Sequence, residues 1–193
     1  IIPSRLSATR LPGKPLLKIN GKSIISHVVR RAEEAKIGEV FVAAEDKEIV
    51  DDVRKNKGQA ILSKKKHKTG TDRVYEALNL IGKHDVDFVM NLQGDEPLMN
   101  IEDIRNLNFF MCKFKKELGT LASKILDDQI YAKQSVVKVN TEKNLETSEF
   151  PKAINFSRNM SKKNENVYHH LGIYCYQLET LKKFVSYNNS ENE

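Results

Sequence analysis

Two apolar rhythms alternate through the first half of the chain. Ile1, Ile2 and Pro3 read as the tail of a buried strand. After a loop bearing Pro and Gly, Ile24, Ile25, Val28, Val29 and Ala32 recur at helical spacing, behind Ser23 as a natural N-cap. Gly38 marks the end of that region, and Val40, Phe41, Val42, Ala43 and Ala44 follow as an apolar strand. Glu45 and Asp46 open a second helix with Ile49, Val50 and Val53 inward, and Gly58 is placed to close it in a left-handed conformation. Ala60, Ile61 and Leu62 form a short strand. A third helix over 71–81 buries Val74, Ala77, Leu78 and Ile81. The run 86–92 is another strand, and a helix from Asn100 turns Ile104, Leu107, Met111 and Phe114 inward.

Short apolar strands alternating with helices of this size predict βαβ units in an α/β fold. Right-handed crossovers make the strands parallel, with helices on both faces. Ligands then bind beyond the carboxyl ends of the strands, where the loops 3–22, 44–46 and 92–99 lie. The second half is less regular. Stretches 118–126, 135–139 and 168–176 read as strands, 178–187 as a helix, and the polar 157–166 as a mobile loop.

The chain has 193 residues, the length of one domain, and 39% of them are hydrophobic, enough for a single core. No apolar run approaches the roughly 20 residues of a membrane span. The sequence shows no signal peptide, which argues against secretion, but it opens at Ile1 without a methionine, so its true beginning is not on display. Cys112 and Cys175 stand apart from any Cys or His cluster and read as small hydrophobes in a reducing compartment. A net charge of +6, from 32 Lys and Arg against 26 Asp and Glu, favours anionic partners. The one dense basic cluster, from Lys64 to Lys68, has no interleaved aromatics for stacking bases; it reads as a solvated loop, and no nucleic acid is expected.

Four segments carry candidate chemistry. Arg5, Arg10 and Lys14 place three cations within ten residues just past the first strand, with Pro12 and Gly13 to turn the chain. They suit a triphosphate, arginine as a planar fork and lysine as a compact charge, although an ordinary basic surface loop has the same spacing. The loop is no Walker A motif, since Ala8 and Pro15 stand where Gly and Ser/Thr are needed. Asn91, Leu92, Gln93, Gly94, Asp95, Glu96 and Pro97 leave a strand with an amide and two carboxylates, fit for a base or sugar contact and for Mg²⁺, or simply a turn. His67, Lys68, Thr69, Gly70, Thr71, Asp72 and Arg73 open a helix whose amides and arginine suit a carboxylate, or merely cap it. Late in the chain come Phe156, Ser157 and Arg158, then His169, His170, Leu171, Gly172, Ile173 and Tyr174. Adjacent strand histidines face opposite ways, so at most one enters a cleft, and no nearby ligand suggests zinc.

In order, IIPSRLSATRLPGKPL, INGKSII-HVV, HKTGTDR, NLQGDEP, VVKV, NFSR and HHLGIY resemble the Kdo cytidylyltransferases, which couple CTP to the eight-carbon acidic sugar 3-deoxy-manno-octulosonate (Kdo). The resemblance implies a three-layer, nucleotide-diphospho-sugar transferase-like α/β fold with a mixed, mainly parallel sheet and a smaller sugar-binding and dimerisation region. It implies a single domain over 1–193, with a nucleotide-binding half at 1–117 and a sugar-binding and dimerisation half at 118–193, truncated at its C-terminal end. It further implies Mg²⁺ dependence, a cytoplasmic homodimer, no membrane, and a role in lipopolysaccharide synthesis. Carried over, Arg10 and Lys14 contact the triphosphate with Arg5 nearby, and Gln93 faces the nucleotide–sugar junction. Asp95 binds Mg²⁺. Arg73 and Arg158 take the sugar's carboxylate and hydroxyls, and His170 and Tyr174 line that pocket. Lys14, Asp95 and Arg10 form the catalytic set for in-line attack on the α-phosphorus. Thr69 and Asp72 stand where the family usually has Ser and Glu, which leaves open another acidic sugar, an 8-amino-Kdo or a sialic-type acid. The family's later sugar-contacting segment and its second metal-ligating aspartate have no counterpart before Glu193, so a CTP-binding fragment without turnover is the other alternative.

Overall fold

The structure is a computed structural model that describes residues 1–7, 11–160 and 164–187. Apart from a two-stranded hairpin of β2 (Lys18–Ile19) and β3 (Lys22–Ser23), strands β1 (Ile2–Ser4), β4 (Phe41–Ala44) and β5 (Gln59–Leu62) pair in parallel in the order β1-β4-β5. On the other edge of β1, Ile1 joins β6 (Phe88–Asn91), donating to the Met90 carbonyl and accepting from the Leu92 amide at 3.0 Å. Each crossover between these strands carries a helix, namely α1 (Ile24–Ala35), α2 (Lys47–Lys55) and α3 (Gly70–Ile81).

The sheet then changes character. Strand β10 (Val167–Gln177) runs antiparallel to β6 and, on its other edge, to β7 (Leu118–Ser123). Its first residues pair with β8 (Lys138–Thr141), which pairs in turn with β9 (Ala153–Ser157). Because β7 runs along nearly all of β10, β6 and β8 must share the opposite edge. At 11 residues, β10 is the beam joining the two halves.

Period-two alternation sends side chains into two separate cores. Ile2, Val42, Ala44, Met90 and Leu92 pack against α1, α2 and α4 (Ile101–Phe114). Val89 and Tyr176 face α3 and α6 (Leu178–Ser186) on the other side. The result is the expected three-layer sandwich. No helix among the described residues is long and apolar enough to cross a membrane.

Several local expectations are corrected. Gly58 is not left-handed: Lys57 takes that conformation at φ 67°. Gly58 is glycine for room, since a Cβ there would lie 2.9 Å from Val53 Cγ1 and 3.1 Å from Val29 Cγ1. Helix α1 likewise ends at Lys36, φ 53°, not at Gly38. Phe114 is exposed and stacks on Phe150, and Ile81 is only half-buried. Strand β9 and the short helix α5 (Asp128–Ala132) lie where no regular element was expected. Of the polar loop expected at 157–166, residues 161–163 lie outside the described residues.

Candidate active site

Three strand ends build the floor of the site. Beyond β1, Gly13 at φ 70° reverses the chain into a single 3₁₀ turn, Lys14–Leu16, and its amide donates to the Leu6 carbonyl at 3.0 Å. Beyond β4, Asp46 spends its carboxylate on the Leu6 amide at 2.7 Å instead of capping α2, and so pins the cationic loop. Beyond β6, Gly94 lies so close to β1 that a Cβ would sit 2.8 Å from the Pro3 carbonyl oxygen. That closeness carries Asp95 across to Lys14, whose Nζ donates to Asp95 Oδ2 at 2.6 Å. The two segments singled out by sequence therefore meet at one point, with both side chains still open to solvent.

The neighbouring groups are electrostatically tuned. Glu96 is pushed up by desolvation and by Asp95, against the opposing pull of Lys14. Arg73 is buried at the start of α3, where burial pulls its pKa down against the raising effect of Glu45. Its Nη2 donates to Glu45 Oε2 at 2.6 Å. The sequence pattern identifies the 44–46 loop as a strand end but gives no sign of this pairing. Three buried polar atoms, Ser4 Oγ and Asn91 Oδ1 at strand ends and Arg73 Nε in α3, find no partner among the described residues. Unsatisfied buried groups are rare; Ser63 Oγ and Asn166 Oδ1 are the others found among the described residues.

The second half contributes a pocket wall. Between Leu171 and Tyr174 the pairing of β10 with β7 shifts register. Within that irregularity the Gly172 carbonyl accepts from Gln93 Nε2 at 2.7 Å. A Cβ at Gly172 would stand 3.0 Å from the same Nε2, tight enough that the Gln93 side chain would have to shift to admit it. Thr120 Oγ1 lies 2.6 Å from the Ile173 carbonyl and 3.0 Å from His170 Nε2. A hydroxyl has one proton and a carbonyl can only accept, so with that proton on Ile173 the imidazole must donate from Nε2. Nδ1 is then the acceptor left for a ligand. Burial and the His169 charge hold His170 below the usual histidine range and keep it neutral near pH 7. Phe156 meets the His170 ring edge-on at 4.9 Å, and Tyr174 lies 5.4 Å away, its hydroxyl pushed up by burial and so kept protonated. Of the histidine pair, His170 is the buried member. Thr120 carried no signal in the sequence.

Arg158 stands two residues past Phe156, its Nη1 donating to the Gln134 and Ser135 carbonyls at 3.2 and 3.1 Å. Among the described residues no hydrogen bond or ion pair joins it to Lys14, Asp95 or Arg73. Arg5 is exposed near Arg73, which its charge perturbs. Arg10 lies outside the described residues. Thr69 and Asp72 form a reciprocal capping box on α3. Ser and Glu would make the same box, so these two substitutions conserve a helix start and give no reason to look for a different sugar.

No group of three or more His, Cys, Asp or Glu poised for a metal exists among the described residues. Mg²⁺ needs less, one or two carboxylates with substrate phosphates supplying the rest. Asp95 fits: it is a hard oxygen donor, open to solvent, that already holds a cation in the form of the Lys14 ammonium.

The profile of the cytidylyltransferase family matches residues 1–193. The 3-deoxy-manno-octulosonate cytidylyltransferase of Thermodesulfovibrio yellowstonii is 39% identical over 96% of this chain and 77% of its own length. The enzyme of the same name from a Bradyrhizobium species is 39% identical over 96% of this chain and 76% of its own. Among solved structures, a CMP:2-keto-3-deoxy-manno-octonic acid synthetase complexed with CTP superposes with a TM-score of 0.84 at 34% identity, covering 98% of this chain and 78% of that one. A 4-diphosphocytidyl-2C-methyl-D-erythritol synthase from Anaerococcus prevotii, 13% identical with a TM-score of 0.63 over 100% of this chain and 78% of its own, shares the fold. On sequence and architecture together, the chain belongs to the 3-deoxy-manno-octulosonate cytidylyltransferase family.

Proposed function

We propose that this protein transfers the cytidylyl group of CTP to Kdo, releasing pyrophosphate and forming CMP-Kdo for lipopolysaccharide synthesis, as a Mg²⁺-dependent homodimer in the cytoplasm. The observation that carries the reading is the Lys14–Asp95 contact at 2.6 Å, which brings a phosphate-binding cation and a metal-binding carboxylate to one point. A bound triphosphate draws the ammonium of Lys14 off Asp95 and onto the leaving phosphates, where it offsets the charge that develops as pyrophosphate departs. Mg²⁺, when bound at Asp95, supplies neutralising charge and polarises a phosphoryl oxygen. Gln93, held through Nε2 by Gly172, keeps Oε1 for a hydroxyl at the nucleotide–sugar junction. His170 accepts a hydrogen bond at Nδ1 from one sugar hydroxyl, and the Tyr174 hydroxyl donates a hydrogen bond to another. The protein's work is thus positioning and charge, with the anomeric hydroxyl of Kdo as the nucleophile.

Pyrophosphate release from CTP and Mg²⁺, measured with and without Kdo and against a panel of other acidic sugars, tests the activity. Release that ignores Kdo, or a preference for another acid in the panel, overturns the assignment. The dimer is supported by β9, the last strand on its side of the sheet, which exposes Ile154 and Phe156. Exposed edge strands of this kind are rarely left uncovered. Ile154→Lys is expected to shift the molecular mass in solution, read by light scattering, from dimer to monomer.

A further inference from the structure

Lys138 is the largest of the fully buried side chains. It lies in β8 between Ser157 of β9 and His169 of β10. Its Nζ donates to the Lys133 carbonyl at 2.8 Å and to the Arg158 carbonyl at 2.6 Å, and it sits 5.6 Å from the Tyr131 ring centroid. Neither hydrogen bond ends on a carboxylate. Burying an ammonium against neutral groups is costly, and a methionine would fill the same space without that cost. What the charge achieves is a tie between two stretches of main chain, the turn after α5 and the end of β9.

The same seam carries other bonds. Tyr131 Oη donates to the Met160 carbonyl at 3.1 Å, and Arg158 Nη1 donates to the Gln134 and Ser135 carbonyls. Arg158 is therefore held twice, through its own carbonyl by Lys138 and through one guanidinium nitrogen. Its Nε and Nη2 make no hydrogen bond among the described residues. That edge of the guanidinium is the one that can grip a carboxylate with two parallel bonds.

We propose that Lys138 is a positioning residue for the acidic sugar: its buried ammonium fixes the main chain at Arg158, so that the Nε–Nη2 edge meets the carboxylate of Kdo beside His170. The proposal rests on the assignment of Arg158 to the sugar. The test is steady-state kinetics of the full-length enzyme, with folding checked by circular dichroism and thermal melting. Lys138→Met is expected to raise KM for Kdo about ten-fold or more while KM for CTP stays within about two-fold. Added to Arg158→Ala, it is expected to change KM for Kdo by no more than about two-fold, because both act through one contact. Should the methionine variant fail to fold, Lys138→Gln carries the test. Its amide is one atom too short to span both carbonyls, and a rise in KM for Kdo alone is again expected. An unchanged KM for Kdo in a folded variant, an equal rise for both substrates, or additivity with Arg158→Ala overturns the positioning role. If Arg158→Ala itself leaves KM for Kdo unchanged, the assignment of Arg158 falls, and the proposal with it.

Discussion

At the scale of single residues, the candidate site is built on the Lys14–Asp95 contact, which the proposed triphosphate has to break. The Lys14 ammonium occupies Asp95 Oδ2, so metal alone competes with an internal cation. Lys14→Met is expected to tighten Mn²⁺ binding without nucleotide by about two- to five-fold, the worth of an exposed ion pair; a manganese spin-resonance titration reads this. Turnover should move the other way, with Lys14→Ala and Asp95→Ala each costing on the order of 10²–10³. Wild-type turnover in either would remove that residue from the mechanism. His170 makes a separate prediction. Its folded pKa lies below the unfolded value near 6.5, so as pH falls below 6.5 the unfolded chain takes up a proton first. Its contribution to stability is then complete above that pH and declines below it. Melting temperatures between pH 7.5 and 5.5 should fall less steeply in His170→Gln than in the wild type, and equal slopes would show that His170 titrates alike in both states. Lys14 and Asp95 were legible in the sequence because each follows an apolar strand in a turn rich in Gly and Pro. Glu45 and Thr120 were not, since their meaning lies wholly in partners distant along the chain.

At the scale of elements, periodicity was a sound guide wherever one face of an element is buried. Helices α1 to α4 and strands β1 and β4 to β6 appear where the apolar spacing put them. It failed for β9, whose Ile154, Asn155 and Phe156 are all exposed, so no alternation marks the strand. The glycine signals misled for a different reason. A glycine after a helix suggests a left-handed cap, yet α1 and α2 are closed by Lys36 and Lys57, and Gly58 answers only to crowding by Val29 and Val53. Gly58→Ala is accordingly expected to destabilise the fold by about 1–3 kcal/mol through overpacking. Denaturant unfolding measures the loss, and activity well below the melting transition should be preserved because the clash lies far from Asp95. Full stability in that variant would mean that Val53 and Val29 yield freely.

At the scale of the whole molecule, the two halves meet along β6 and β10, and the site is assembled across that meeting. The first half carries the Lys14–Asp95 point, the second carries the His170 and Tyr174 rings, and the Gln93–Gly172 bond joins the two. On the proposed reading, register along β10 decides whether nucleotide and sugar share one cleft, which no local pattern could reveal. Gly94 tests this assembly more sharply than any charged residue. A methyl group there meets the Pro3 carbonyl oxygen at 2.8 Å, and main chain in the middle of the sheet cannot step aside as a valine rotamer can. The 93–97 turn must move instead, taking Asp95 away from Lys14 and Gln93 away from Gly172. Gly94→Ala should thus lose turnover by roughly 10²-fold, the cost of a misplacement near 1 Å, and weaken both substrates together. Steady-state kinetics beside denaturant unfolding separates the outcomes. Near-normal turnover in Gly94→Ala would mean that the close approach of the two strand ends is not what builds the active centre.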